Sequence, residues 1–262
     1  MIKAVFFDLD DTLLWDDRSV EEAFAATCQH ASDRTGVNAN ELEHSVRTEA
    51  RALYSTYETF PFTQMIGINP FEGLWAHFSG GQLESFRKLQ ALAPGYRREA
   101  WTRGLSKLGV DDSELGFELA EQFGRERRSR PIVYEETFRV LDELKKNYRL
   151  LLLTNGTPDL QWEKINGVSG LEAYFDKIVI SGEFGRGKPD VSIFEHSLQT
   201  MEVSANEVVM VGDKLTTDIL GSNRTGIASV WINRNGVLRN DEIVPKHEIA
   251  SLDELLELLI TL

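Results

Sequence analysis

The chain has 262 residues, a length that fits a core domain with a smaller accessory domain, and its 42% hydrophobic and 27% charged residues are ordinary for a soluble globular protein. A formal net charge of −14 disfavours nonspecific binding to nucleic acid or to an anionic membrane. The single cysteine, Cys28, excludes an intrachain disulfide and suits a reducing cytoplasm.

The opening apolar run, Ile2 to Phe7, is too short for a signal peptide or a membrane span and reads as a buried strand. It ends in three carboxylates within four residues, Asp8, Asp10 and Asp11. From about Asp16 to Arg130 no buried strand is expected. Ser19-Val20-Glu21-Glu22 has the spacing of a capping box opening a helix. Leu42, Val46, Leu53 and Tyr57 have the spacing of another. Phe138, Leu141, Leu144 and Tyr148 then mark a helix before a second strand, Arg149 to Leu153. Further strands are expected at Lys177–Ile180, Glu207–Val211 and Ala228–Ile232. Helices fall between them at Pro158–Ile165, Pro189–Thr200 and Thr217–Asn223, and an amphipathic helix at Leu252–Leu262 closes the chain. Strands alternating with helices predict an α/β fold, a Rossmann-like parallel sheet covered on both faces. The expected division is an α/β core, 1–15 and 131–262, carrying an inserted α-helical domain, 16–130.

Ligands of open parallel sheets bind beyond the carboxyl ends of the strands. Those ends carry Asp8-Leu9-Asp10-Asp11-Thr12, Thr154-Asn155-Gly156, Gly185-Arg186-Gly187-Lys188-Pro189 and Gly212-Asp213-Lys214-Leu215-Thr216-Thr217-Asp218. Two carboxylates about 4 Å apart repel by about 4 kcal/mol at an effective dielectric of about 20. Such a cluster calls for a cation. All-oxygen ligands point to Mg²⁺, which is commonly held by one or two carboxylates plus phosphate and water. The sheet edge is therefore a phosphoryl-transfer candidate.

In this order the four segments resemble the four signature motifs of the haloacid dehalogenase superfamily. Asp8, Asp10 and Thr12 match the first, Thr154 the second, Lys188 in Gly-Lys-Pro-Asp the third, and Gly212, Asp213 and Asp218 the fourth. The resemblance implies that Asp8 is the nucleophile, forming an aspartyl-phosphate. It implies that Asp10 is the general acid and base, and that Thr154 and the Asn155 backbone N–H bind phosphoryl oxygens. Lys188 would offset charge on Asp8 and on the phosphoryl group. Asp8, the Asp10 backbone carbonyl and Asp213 would hold Mg²⁺, with Asp218 supporting the metal's water shell. The insert would be a cap that closes over the site and selects a small phosphorylated metabolite.

Asp10 favours phosphate-ester hydrolysis over the carbon–halogen chemistry that names the superfamily, whose dehalogenases lack an aspartate there. A phosphomutase keeps both aspartates and stays open. A phosphonate-cleaving enzyme would need a desolvated insert lysine, and nothing marks Lys88 or Lys107 as one. A receiver-like signalling protein also phosphorylates an aspartate, but its order of groups differs and it lacks the insert. For the substrate, the full-length pattern resembles bacillus-type hydrolases linked to phosphoserine. His44, Arg47 and Arg51 form a basic helix face that could meet a carboxylate, and Glu72 could accept an ammonium. A nucleotidase would use Phe60, Phe62 or Trp75 for stacking, and a sugar-phosphate phosphatase is the other alternative. The Met65–Trp75 stretch and Trp15 are candidates for a pocket wall or, equally, for anchoring and hinge roles. Oligomeric state is left open by the sequence.

Overall fold

The computed structural model describes residues 1–238 and 242–262. The chain divides into two compact units. One comprises Met1–Asp16, Ile132–Gly156 and Val168–Leu262; the other comprises Asp17–Pro131 and Thr157–Gly167.

Among the described residues, the first unit is built on six parallel strands: β1 (Ala4–Phe7), β2 (Arg149–Thr154), β3 (Lys177–Ile180), β4 (Val208–Gly212), β5 (Ala228–Ile232) and β6 (His247–Ile249). Their order is β3-β2-β1-β4-β5-β6, which places β1 and β4 side by side at the centre. The central strands are buried along their whole length because helices cover both faces of such a sheet. Alternate residues (Phe6, Leu151, Leu153, Met210) share one face with Ile193 and Phe194. β6 was not foreseen: His247-Glu248-Ile249 is a short edge strand with no apolar run, which is how exposed sheet edges avoid further pairing.

Helices α1 (Asp16–Thr35), α2 (Ala39–Tyr54), α3 (Phe60–Ile66), α4 (Pro70–Gly73), α5 (Glu84–Ser106) and α6 (Ser113–Arg128) form most of the second unit. Its centre is aromatic: Phe24 lies 5.8 Å from Trp101 and 4.5 Å from Phe123, centroid to centroid. The capping box expected at Ser19–Glu22 does not form. α1 begins at Asp16, so Ser19 lies a turn inside the helix, buried, and its hydroxyl donates to the Arg130 carbonyl (2.6 Å). Pairing with the far end of the segment outweighs the local cap.

The chain continues through α7 (Thr137–Leu144) and α8 (Pro158–Gly167). Sequence periodicity assigned 157–167 to the α/β part, but these residues group with the helical unit. Three contacts explain this. Lys164 and Glu72 form a buried ion pair at 3.0 Å, Asp159 accepts from the Ser79 amide at 2.8 Å, and Arg128 pairs with Glu163 at 2.6 Å. The remaining helices, α9 (Ser181–Phe184), α10 (Val191–Met201), α11 (Leu220–Thr225) and α12 (Asp253–Thr261), belong to the first unit.

In the helical unit α2 meets α5 at Gly104, where an added Cβ would lie 2.4 Å from Val46 Cγ2 and 3.1 Å from its Cα. Gly104→Ala should therefore destabilise by about 1–3 kcal/mol through overpacking. A gain of about 1 kcal/mol in helix propensity offsets part of this. A lower urea midpoint is expected; an unchanged one would mean that the α2–α5 contact has slack.

Candidate active site

Four strand ends of the first unit supply the candidate residues. Asp8 follows β1, and its amide donates to the Val211 carbonyl (3.0 Å), which ties the loop start to β4. Asp11 adopts φ 58°, a left-handed turn conformation that aspartate tolerates, so it reads as the turn residue of the loop. Thr154 ends β2 and is buried. Gly212 ends β4. A Cβ there would fall 2.4 Å from Asp218 Cγ, so only glycine allows that carboxylate to lie against the strand end.

Lys188 joins these groups. It is buried, and its ammonium donates to Asp8 Oδ1 (2.6 Å) and the Leu153 carbonyl (2.7 Å). It also lies 2.7 Å from Asp218 Oδ1. Burial alone would lower its pKa; Asp218 and Asp8 outweigh burial and hold it above the ordinary lysine value. Asp8, Asp213 and Asp218 each bring a carboxylate oxygen within 4.8 Å of the other two. Burial, and then the neighbouring carboxylates Asp8, Asp218 and Asp11, push Asp213 well above the usual carboxylate range. Burial also raises Asp8, against the pull of Lys188.

One ammonium for three clustered carboxylates leaves a surplus of negative charge, which adds to burial in raising Asp213. An all-oxygen donor set of this kind fits a hard divalent cation such as Mg²⁺. The side chain of Asp10 is not one of the three clustered carboxylates. Asp218, expected outside the metal's own ligands, lies within the group and shares Lys188 with Asp8.

Several supporting contacts escaped the sequence reading, which gave Asn155 only a role for its backbone N–H. The Asn155 side chain holds the Lys188 backbone from both sides, donating to its carbonyl (3.0 Å) and accepting from its amide (2.8 Å). Ser181, directly after β3, accepts from the Gly156 amide (2.9 Å) and steadies the Thr154–Gly156 loop. The Trp231 indole donates to the Asp213 carbonyl (2.7 Å). A polar-tipped aromatic at the end of an apolar strand was the available signal.

The insert candidates have other duties within their own unit. The Arg47 guanidinium lies 4.2 Å over Phe24 and 4.8 Å over Phe71 and pairs with Glu43, while Arg51 also covers Phe71. Glu72 closes a capping box with Asn69 and pairs with Lys164. Trp75 is buried beneath the guanidiniums of Arg127 and Arg128. Phe60 packs edge-on against Tyr54 and Phe62 against Phe86. Lys88 and Lys107 are exposed and face Glu58 and Glu49. Burial pushes the Cys28 thiol up to about 12, so it is a packing residue rather than a nucleophile. In the first unit Trp15 stacks on Tyr134 (5.1 Å).

The sequence matches the family described as haloacid dehalogenase-like hydrolase over residues 2–226. It is 35% identical over 253 residues to a phosphoserine phosphatase of Thermus thermophilus, with 97% of each chain covered. It is 36% identical over 262 residues to an N-acylneuraminate-9-phosphatase of Rattus norvegicus, covering 98% of this chain and 94% of the other. Among solved structures, the HAD-hydrolase YfnB of Bacillus subtilis, bound to magnesium, matches with a TM-score of 0.68 over 98% of both chains. At 21% identity that likeness concerns the fold alone.

Proposed function

The chain is a phosphatase of the haloacid dehalogenase-like hydrolase family, and we propose that it hydrolyses a small phosphomonoester with Mg²⁺, phosphoserine being the first substrate to test. The observation that carries the reaction is Lys188 buried at 2.6 Å from Asp8, beside the surplus carboxylates Asp213 and Asp218. Lys188 favours the Asp8 carboxylate against the opposing pull of burial, at the sheet edge where it can attack phosphorus. The new Asp8–phosphorus bond forms as the ester bond breaks, and Asp10 gives its proton to the departing alkoxide. Asp10 then takes a proton from water, which attacks the same phosphorus and frees Asp8 and inorganic phosphate. Such positioned acid–base catalysis contributes about 10²- to 10⁴-fold. Thr154 and the Asn155 amide bind phosphoryl oxygens, and Lys188 offsets their charge. Asp8, Asp213 and the Asp10 carbonyl would hold Mg²⁺, with Asp218 behind them. When bound, the ion supplies positive charge against the phosphoryl oxygens and the clustered carboxylates.

The relative acting on phosphoserine supports that substrate, and the relative acting on N-acylneuraminate 9-phosphate supports a second reading at nearly equal identity. Both substrates pair a phosphate ester with a carboxylate. The nucleotidase reading has less support, because Phe60, Phe62 and Trp75 are engaged in packing within the helical unit. Among the described residues no helix is long and apolar enough to cross a membrane. A cytoplasmic location is our reading of the lone, buried cysteine.

The test is phosphate release, with Mg²⁺ and with chelator, from phosphoserine, N-acylneuraminate 9-phosphate, sugar phosphates and nucleoside monophosphates. Phosphoserine is expected to exceed the others in kcat/KM by about tenfold, equivalent to about 1.4 kcal/mol of transition-state selection. All release should stop in chelator. A nucleotide at the head of the panel would overturn the phosphoserine reading. Release that persists in chelator would overturn the metal.

A further inference from the structure

We infer that Arg234 is a positioning residue of this phosphatase, fixing the far end of the Asp8–Thr12 loop and thereby the placement of the acid–base Asp10 without touching substrate. Arg234 stands two residues beyond β5. The turn that presents it is built by Asn233, which is buried and bonded on every side. The Asn233 amide donates to the Ile249 carbonyl (2.8 Å), and its side chain bonds the Val237 amide (2.8 Å), the Val237 carbonyl (2.9 Å) and Glu248 (2.7 Å).

From that turn the guanidinium makes three contacts at once. Nη2 donates to the Thr12 carbonyl (2.9 Å), Nη1 donates to Glu136 Oε1 (2.6 Å), and the planar group lies 3.4 Å over the Tyr134 ring. Tyr134 in turn stacks on Trp15 at 5.1 Å with a 17° interplanar angle. The side chains of Arg234 and Glu136 are only 14% and 13% exposed, so solvent does little to replace the pair. Backbone bonds complete the brace: Tyr134 N and Thr137 Oγ1 donate to the Leu13 carbonyl, and Trp15 N donates to Ile132.

The consequence for the reaction follows from where the loop is held. Its start, Asp8, is fixed by the Val211 carbonyl and by Lys188. Its end, Thr12, is fixed by Arg234. Asp10 and the left-handed Asp11 lie between these two points, and Asp10 is bridged to Leu14, just past Thr12, which is itself bridged to Val133. Releasing Thr12 leaves Asp8 and the carboxylate cluster anchored but loosens the Thr12–Leu14 segment to which Asp10 is bridged, and with it the placement of Asp10. Lysine cannot substitute, because only a planar fork reaches a carboxylate and a carbonyl while stacking on a ring.

This inference rests on the phosphatase reading, and its test separates the two. Full-length Arg234→Lys and Arg234→Met are compared with wild type and with Arg139→Ala, an exposed arginine paired with Asp253 and expected to be neutral. Two esters are used: the best alkyl phosphate of the panel, and p-nitrophenyl phosphate, whose leaving group needs little help from an acid. In both Arg234 variants kcat/KM for the alkyl ester should fall by about 100-fold, the scale of an ångström-level misplacement. For p-nitrophenyl phosphate it should fall by no more than about tenfold, since the acid contributes less there. Amides of Leu13, Leu14, Trp15 and Tyr134 should exchange faster with deuterium, while those of β1 and β4 stay protected. Equal losses on the two esters, full activity in Arg234→Lys, or faster exchange spread over β1 and β4 would each overturn the assignment. Wild type inactive on every ester would sink the phosphatase reading, and unchanged exchange at residues 13–15 would still sink the brace.

Discussion

Replacing Asp8 with asparagine is expected to lower turnover by about 10⁴-fold or more, the scale seen when a covalent nucleophile is removed. The change keeps the shape of the side chain and an oxygen for Lys188, whose ammonium lies 2.6 Å away, so the sheet edge stays assembled. It removes the charge proposed to attack phosphorus, and an amide cannot form the proposed phosphorylated intermediate. The fold should survive, since burial already disfavours the charged form of Asp8. The measurements are single-turnover phosphate release and the mass of acid-quenched protein. Wild type should carry one added phosphoryl group during turnover and the variant none. Turnover within tenfold of wild type would place the nucleophile elsewhere.

Lys188→Met is expected to damage both stability and activity. The ammonium is buried and touches Asp8, Asp218 and the Leu153 carbonyl at 2.6, 2.7 and 2.7 Å. Removing it strands two buried carboxylates beside Asp213, and breaking a buried pair from one side costs about 3–5 kcal/mol. For a chain of this size that is a fall in melting temperature on the order of 10 °C in chelator. Mg²⁺ should recover part of the loss, because a cation that binds only the folded state stabilises it and offsets the same carboxylates. Turnover should still fall by about 10²- to 10³-fold, the effect of deleting one electrostatic donor to a developing charge. A variant as stable in chelator as wild type would mean that the carboxylates do not depend on this lysine.

Much of the site was legible because its chemistry sits where each strand stops. Phe7 is followed by Asp8, Leu153 by Thr154 and Val211 by Gly212 and Asp213, so an apolar run and its polar successor mark both the strand and the site residue. The residues that hold the site were not legible in this way. Arg234 meets Thr12 across 222 positions, and Asn155 reaches Lys188 across 33. Lys188 was legible only through its motif; by itself it looks like any surface lysine, and its burial between Asp8 and Asp218 shows only in the fold. In the helical unit the same limit misled. Ser19 had the spacing of a cap but is bonded to Arg130, and Arg47 had the look of a ligand-facing cation but lies on Phe24 and Phe71.

The sequence by itself determined the α/β class, the first five strands and the order of the candidate reactive groups along the chain. These depend on hydrophobic runs and turn residues that act over a few positions. The tertiary structure alone decided which carboxylates share Lys188, that α8 belongs with the helical unit, that β6 extends the sheet beyond β5, and that Arg234 meets the Thr12 carbonyl. Each of these is a pairing between residues far apart in the chain, and only the folded geometry brings such partners within reach.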